Sequence, residues 1–140
     1  MMMFPAAAIL LAQTMTAPAL PQPGAMDTPV SYGNVQTVCT GVGSAKDDPQ
    51  WASYPVRIEF SNGGAQYLSG AHVALSSGRN QIADLDCAGP WVLVKGPAGS
   101  YRVTATIDGS TAKAVTAPFT VGTGKQKRVV LRFPDFQPNQ

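Results

Sequence analysis

The sequence predicts an all-β protein, a single antiparallel β-sandwich of about seven strands. Short runs that alternate apolar and polar residues recur at roughly ten-residue spacing from residue 34 onward, and Gly, Pro, Asn or Ser separates them. The 140-residue chain contains 14 Gly and 12 Pro, whereas only 13% of its residues are charged. After the N-terminal segment no run has the apolar stripe of a helix, so the turns and the alternation together indicate a β-sandwich.

Each strand is predicted from its own residue pattern, taken in chain order. The clearest run is "SYPVRIEFS", in which Tyr54, Val56, Ile58 and Phe60 share one face and should point into the core. In "AHVALSS" the same alternation turns the single histidine, His72, toward solvent. The predicted runs lie at residues 34–43, 53–61, 71–77, 81–86, 90–94, 101–108, 112–121 and 127–133.

The N-terminal segment predicts export. Residues 1–19 have a short uncharged apolar stretch followed by "APA", which is typical of a signal peptide and its cleavage site. No Lys or Arg precedes the apolar stretch, so an N-terminal membrane anchor is the alternative, although Pro18 and three polar residues make a poor spanning helix. We expect a periplasmic or secreted protein with no membrane span in the mature chain. Residues 20–34 should form a flexible Pro- and Gly-rich lead-in, 35–134 the sandwich and 135–140 a tail.

The two cysteines, Cys39 and Cys87, favour one disulfide, because an exported protein meets an oxidising compartment. Two separate buried thiols are the alternative. A metal site is not expected, since two cysteines and His72 do not supply the number and spacing of ligands that zinc needs. No cofactor is predicted, and a formal net charge of only +2 gives no reason to expect nucleic acid as a partner.

The stretch "GPAGSYRV" at residues 96–103 predicts a tight turn that leads into a strand. Pro97 presets the φ angle of a turn, and Gly99 can adopt the positive φ that a type II turn requires. The following strand should turn Tyr101, Val103, Ala105 and Ile107 to one side.

This stretch resembles the Leu-Pro-x-Gly-x-Tyr-x-Val pattern of carboxypeptidase regulatory-like domains, with Trp91 and Leu93 at the apolar positions before the turn. The resemblance covers about residues 54–133 and departs at Gly96, where the family usually has Leu. It implies a prealbumin-like (transthyretin-like) Greek-key sandwich in a bacterial exported protein, with a scaffold or binding role rather than catalysis. The related hydroxyisourate hydrolases use several histidines and a C-terminal Tyr-Arg-Gly-Ser, which this chain lacks.

No catalytic residues are predicted. His72 is expected to be a solvent-facing residue without a nucleophile beside it, and Asp84 and Asp86 share a strand face that is more typical of solvated charge than of acid–base work. The pair at Asp47 and Asp48 lacks the regular ligand spacing of a calcium loop. A hydrolase with an unidentified site is therefore an unlikely alternative.

Two sets of residues are candidates for binding. The first surrounds Trp51, which we expect to be partly exposed near one end of the sandwich, whereas Trp91 should lie in the core; the alternative is that Trp51 only covers the end of the core. The second is a basic set that could contact an anionic polymer, although lysines also serve to protect edge strands. The two sets are Trp51, Tyr54, Asp48 and Gln50, and Lys125, Lys127, Arg128 and Arg132.

The sequence thus favours a non-catalytic exported module that binds or assembles in the bacterial envelope. Its partner would be an envelope protein or a cell-wall component. The alternative function is a periplasmic inhibitor of a protease or a lysozyme, which would present a loop from a disulfide-linked scaffold.

Overall fold

The computed structural model describes residues 25–64 and 66–136, so the predicted signal peptide, the start of the lead-in and the end of the tail lie outside the described residues. Two 3-10 helices, Gly43–Asp47 and Pro49–Ser53, follow the second strand, and we call residues 43–53 the 3-10 segment. Within the described ranges, no helix has the length and apolar character needed to cross a membrane. The strands are β1 (Val30–Tyr32), β2 (Val35–Thr40), β3 (Val56–Asn62), β4 (Ala71–Ser77), β5 (Asn80–Cys87), β6 (Trp91–Lys95), β7 (Gly99–Ile107), β8 (Val115–Val121) and β9 (Lys127–Phe133).

The strands form two sheets that pack face to face, which confirms the predicted all-β sandwich, but the described residues contain nine strands and not about seven. The larger sheet has the order β1-β2-β6-β3-β9, and the smaller sheet has the order β5-β4-β7-β8. The expectation of antiparallel pairing holds at every pair of these strands except β3 and β9, which run parallel from Val56 opposite Lys127 to Asn62 opposite Phe133. Strand β1 lies inside residues 20–34, where a flexible lead-in was expected, and it pairs antiparallel with β2.

The core between the sheets is built from the alternation that the sequence shows. Val56, Ile58 and Phe60 of the larger sheet are each 0% exposed, and they pack against Val73 and Leu75 of the smaller sheet. Burial of such side chains supplies the main driving force for folding, at about 25 cal/mol per Å² of apolar surface. The predicted inward face of β3 is therefore confirmed at Val56, Ile58 and Phe60, and so is that of β4. The prediction is wrong for Tyr54, which precedes β3 and packs in a separate cluster with Trp51.

A disulfide between Cys39 and Cys87 joins the two sheets, because Cys39 lies on β2 and Cys87 ends β5. The predicted pairing is therefore present in the structure. The Met26 sulfur lies 3.4 Å from Cys39 Sγ, and the backbone N–H of Gly89 points at the same sulfur from 3.4 Å. A Cβ added to Gly89 would stand only 2.5 Å from the carbonyl oxygen of Thr40, so this position beside the disulfide requires glycine.

The chain bends before β7, where "GPAGSYRV" predicts a tight turn, and Gly99 has the predicted positive φ but not the value of about +80° that a type II turn requires. Gly99 has φ of +151°, and the hydroxyl of Tyr101 donates to the carbonyl oxygen of Pro97 at 2.6 Å. At Gly96, the position at which the family pattern has Leu, an added Cβ would stand 3.0 Å from Val35 Cγ2, so Val35 would have to shift by a few tenths of an ångström to admit a side chain. Val35 therefore fills the space beside this turn.

Candidate functional site

The face of the larger sheet that is turned away from the sandwich core carries a buried carboxylate paired with arginines. Alternation along each strand decides which residues reach it. We call this surface the outer face. It is formed by Gln36, Val38 and Thr40 of β2, Trp91, Leu93 and Lys95 of β6, Arg57, Glu59 and Ser61 of β3, and Arg128, Val130 and Arg132 of β9.

The 3-10 segment covers part of the outer face. Trp51 and the adjoining Tyr54 pack on Val38 and Leu93 and form a small second core, in which Trp51 is 5% exposed. The Trp51 indole N–H donates to the carbonyl oxygen of Ala45 at 2.8 Å. The expectation of a partly exposed Trp51 is therefore wrong, because this segment folds back over the sheet instead of extending from its end.

Asp48 and Gln50 are exposed and bind each other. The Asp48 carboxylate accepts hydrogen bonds from the backbone N–H and the side-chain amide of Gln50, both at 3.0 Å. These bonds, the backbone one first, lower the pKa of Asp48, and they cap the start of the second 3-10 helix. Thus the four residues of the first candidate set lie close together, but two are buried and two have a local structural role.

Trp91 lies on the outer face and not in the core, contrary to expectation. Its neighbours Val92 and Val94 point into the core, and each is 0% exposed. The Arg57 guanidinium carbon stands 4.2 Å above the centre of the Trp91 ring, which is the geometry of a cation–π contact. Arg57 and Trp91 thus lie in contact on the outer face, beside Glu59.

Glu59 is the centre of a network of charged groups. Its side chain is 0% exposed, with Arg57 Nε 2.7 Å from one carboxylate oxygen and an Arg128 guanidinium nitrogen 2.8 Å from the other. The Tyr67 hydroxyl donates to the same carboxylate at 3.0 Å. Burial alone would raise the pKa of Glu59, but the hydrogen bonds from Arg128 and Tyr67 and the two positive charges outweigh it and hold the pKa below its ordinary value.

The structure divides the predicted basic set. Arg128 and Arg132 point outward from β9 onto the outer face, whereas Lys127 reaches the other way and donates to the Thr120 hydroxyl of β8 at 2.9 Å. Lys125 is exposed in the turn between β8 and β9. The two arginines, together with Arg57, leave strands β3 and β9 with three cations against the single carboxylate of Glu59 on this face.

A cavity of about 420 Å³ opens on the outer face beside this network, and we call it the β3–β9 cavity. Ser61, on its wall, is 4% exposed, and its hydroxyl has no hydrogen-bond partner among the residues that the structure describes. Arg132, also on the wall, points one guanidinium nitrogen at the carbonyl oxygen of Gly64 from 3.4 Å. The lining is Glu59, Ser61, Gly63, Gly64, Tyr67, Arg128, Val130 and Arg132.

His72 faces solvent from the smaller sheet, as the alternation predicts. Nε2 lies 2.5 Å from Asp84 and Nδ1 lies 2.8 Å from Asp86, so both ring nitrogens are engaged by carboxylates. The hydrogen bond with Asp86 is the main cause that raises the pKa of His72, and burial opposes it. In the described part of the chain, no three His, Cys, Asp or Glu side chains are grouped as metal ligands would be.

Sequence reasoning missed four residues of this network and the adjoining cavity, Arg57, Glu59, Ser61 and Tyr67. One signal was available, because Arg57 and Glu59 are two residues apart on a clear strand and must therefore share a face. Tyr67 gave no such signal, since it comes from the connection after β3 and reaches Glu59 only through the fold.

Comparison with known proteins identifies no family for this chain. No protein-family model matches the chain, and a search of curated proteins gives no match either.

Proposed function

We propose that this protein is a non-catalytic β-sandwich module of the carboxypeptidase regulatory-like type, exported to the bacterial envelope, that binds an anionic envelope component through its outer face. The signal-like segment at residues 1–19 and the disulfide both favour export. The turn at residues 96–103 and the sandwich of two sheets are what supports the family resemblance.

The observation that carries the proposal is the buried carboxylate of Glu59 on the outside of a sheet. A buried ion pair is seldom the most stable choice for a position, because taking the charges out of water costs about as much as their attraction returns. Here Glu59 fixes Arg57 and Arg128 in place. Arginines held in this way lose little side-chain entropy when they meet an anionic partner, which favours a binding surface.

The smaller sheet supports the absence of catalysis. His72 is the only histidine in the chain, and both of its ring nitrogens contact carboxylates. Neither nitrogen is therefore left to activate a nucleophile, as a hydrolase of the Ser-His-Asp kind would require.

Sedimentation of the purified protein with isolated bacterial envelopes tests the proposal. We expect the wild-type protein to pellet with the envelopes at low salt and to be released as the salt concentration rises. Arg132→Glu should weaken binding about tenfold or more, because it reverses a charge on the outer face. The matched control is Arg102→Glu, which changes an exposed arginine on β7 of the smaller sheet and should bind as the wild type does. Equal binding by both variants, or no sedimentation of the wild type, would contradict the proposal.

A further inference from the structure

We infer that the β3–β9 cavity binds one acidic sugar unit, a pyranose that carries a carboxylate or a phosphate group. The inference rests on the proposed binding role of the outer face and names the ligand class that this surface recognises. Three features of the cavity carry it, and each accounts for a different part of the ligand.

The first feature is the hydroxyl of Ser61. It is buried on the cavity wall without a partner among the described residues, although buried polar groups in folded proteins are nearly always hydrogen-bonded. A serine hydroxyl can both donate and accept one hydrogen bond at the same site. A ligand hydroxyl or anionic oxygen would satisfy it.

The second feature is Arg132. Arg57 and Arg128 each place one guanidinium nitrogen on Glu59 and offer only their other donors, whereas the described hydrogen bond of Arg132 reaches the Gly64 carbonyl from 3.4 Å, near the limit for such a bond. Most of the donors of the Arg132 guanidinium are therefore available at the cavity. A guanidinium binds carboxylate and phosphate groups with two parallel hydrogen bonds, which predicts an anionic group on the ligand.

The third feature is the ring of Tyr67. It is one of the large apolar side chains that remain exposed, at 46%, yet its hydroxyl is held by Glu59 at 3.0 Å. The ring is thus both accessible and fixed in orientation. Such a surface suits the apolar side of a sugar ring, whose hydroxyls stay free for polar neighbours.

Size and charge limit the ligand further. A volume of about 420 Å³ lies at the small end of the range for ligand sites, so it suits one sugar unit, at the end of a chain or as a branch. The Glu59 carboxylate also lines the cavity, but arginine nitrogens lie 2.7 and 2.8 Å from its two oxygens and offset its negative charge, although the contact of Oε2 with Arg57 is an ion pair without hydrogen-bond geometry.

Titration followed by amide NMR tests the inference on the purified protein, with four probes. Glucuronate supplies a sugar with a carboxylate, glucose 6-phosphate a sugar with a phosphate, glucose a neutral sugar and inorganic phosphate an anion alone. We expect at least one of the two acidic sugars to shift the amide signals of Ser61, Gly64 and Tyr67, and the stronger of the two identifies the anionic group. Glucose and inorganic phosphate should each bind about tenfold or more weakly.

Variants distinguish this site from a structural role. Arg132→Gln should weaken binding of the acidic sugar about tenfold, while Arg102→Gln on β7 should leave it unchanged. Ser61→Ala should weaken binding about fivefold and leave the thermal midpoint unchanged or raised, because it removes a buried hydroxyl without a partner. A merely structural Ser61 would lower the midpoint and leave sugar binding intact.

The results that overturn the inference are separate from those that overturn the proposed function. Binding of inorganic phosphate as tight as that of either sugar, no response to any acidic sugar, or wild-type affinity in Ser61→Ala would each overturn the acidic-sugar site. In each of these cases, salt-sensitive sedimentation with envelopes and its loss in Arg132→Glu would still uphold the binding role of the outer face.

Discussion

Reduction of the disulfide between Cys39 and Cys87 should destabilise the protein by about 4 kcal/mol. The bond closes a loop over a sequence separation of 48 residues. In the chain-entropy description, opening a loop of that length gives the unfolded chain about 14 cal/mol/K of additional entropy, or about 4 kcal/mol at 25 °C. Because single domains of this size are stable by only about 5–15 kcal/mol, reduction should remove a large share of the total.

Urea unfolding with and without a thiol reductant measures this loss. With a slope of about 1.5 kcal/mol/M, the urea midpoint should fall by about 2.5 M, and the thermal midpoint should fall by about 15 °C. A double variant, Cys39→Ala with Cys87→Ala, is the control, since it should unfold near the reduced wild type and should not respond to the reductant. A loss below about 1 kcal/mol would refute the reasoning, because it would mean that the bond does not restrict the unfolded chain as the loop length requires.

Three further predictions concern single side chains. Gly89→Ala should lower the free energy of unfolding in urea by about 3 kcal/mol, because the added Cβ would stand 2.5 Å from the carbonyl oxygen of Thr40. The control is Gly122→Ala, whose added Cβ has no atom within 4 Å and should leave the stability nearly unchanged. Equal effects of the two substitutions would contradict this prediction. Glu59→Gln should cost about 2 kcal/mol at pH 7. Because the pKa of Glu59 is lowered in the folded protein, its contribution to the free energy of unfolding is present above the unfolded pKa and is lost as pH falls through the folded pKa. The free energies of unfolding of the wild type and the variant should therefore converge in acid. A difference that stays constant with pH would refute the stabilising role of the Glu59 carboxylate. The folded pKa of His72 is raised, mainly by the hydrogen bond with Asp86, so its contribution to stability is present below the unfolded pKa and is lost as pH rises through the folded pKa. An NMR titration should show a lower pKa of His72 once Asp86 is changed to Asn, and an unchanged value would be contrary to this prediction.

The sandwich could be predicted from sequence where a strand has one polar and one apolar face. Val56, Ile58 and Phe60 alternate with polar residues, and that alternation shows which residues of β3 face the core and which face outward. The inward face of strand β6 could not be predicted in this way, because "PWVLV" is apolar at every position. Both faces of β6 are covered, one by the core and the other by the 3-10 segment, so alternation could not tell which face Trp91 occupies.

The outer face was harder to predict because distant parts of the chain assemble it. Arg57 and Glu59 are neighbours on one strand, but Arg128 joins them only through the parallel pairing of β9 with β3. The basic set at residues 125–132 was recognised as a charge bias, and alternation along β9 places Arg128 and Arg132 on one face and Lys127 on the other. Which strand lies beside these arginines depends on the pairing of β9, which the sequence pattern does not contain. The placement of Trp51 likewise depends on a reversal of the chain after β2.

The parallel pairing of β3 with β9 also determines when the outer face is complete. Val56 lies opposite Lys127, so the larger sheet is completed by the last of the strands that the structure describes. Both cysteines are synthesised before that strand, and the sheets can be joined covalently while Glu59 still lacks Arg128. Such an intermediate would carry the disulfide of the finished protein together with an incompletely paired carboxylate and an open edge at β3. The ligand binding that we propose for the outer face would therefore report completion of the fold, whereas oxidation of the cysteines would not.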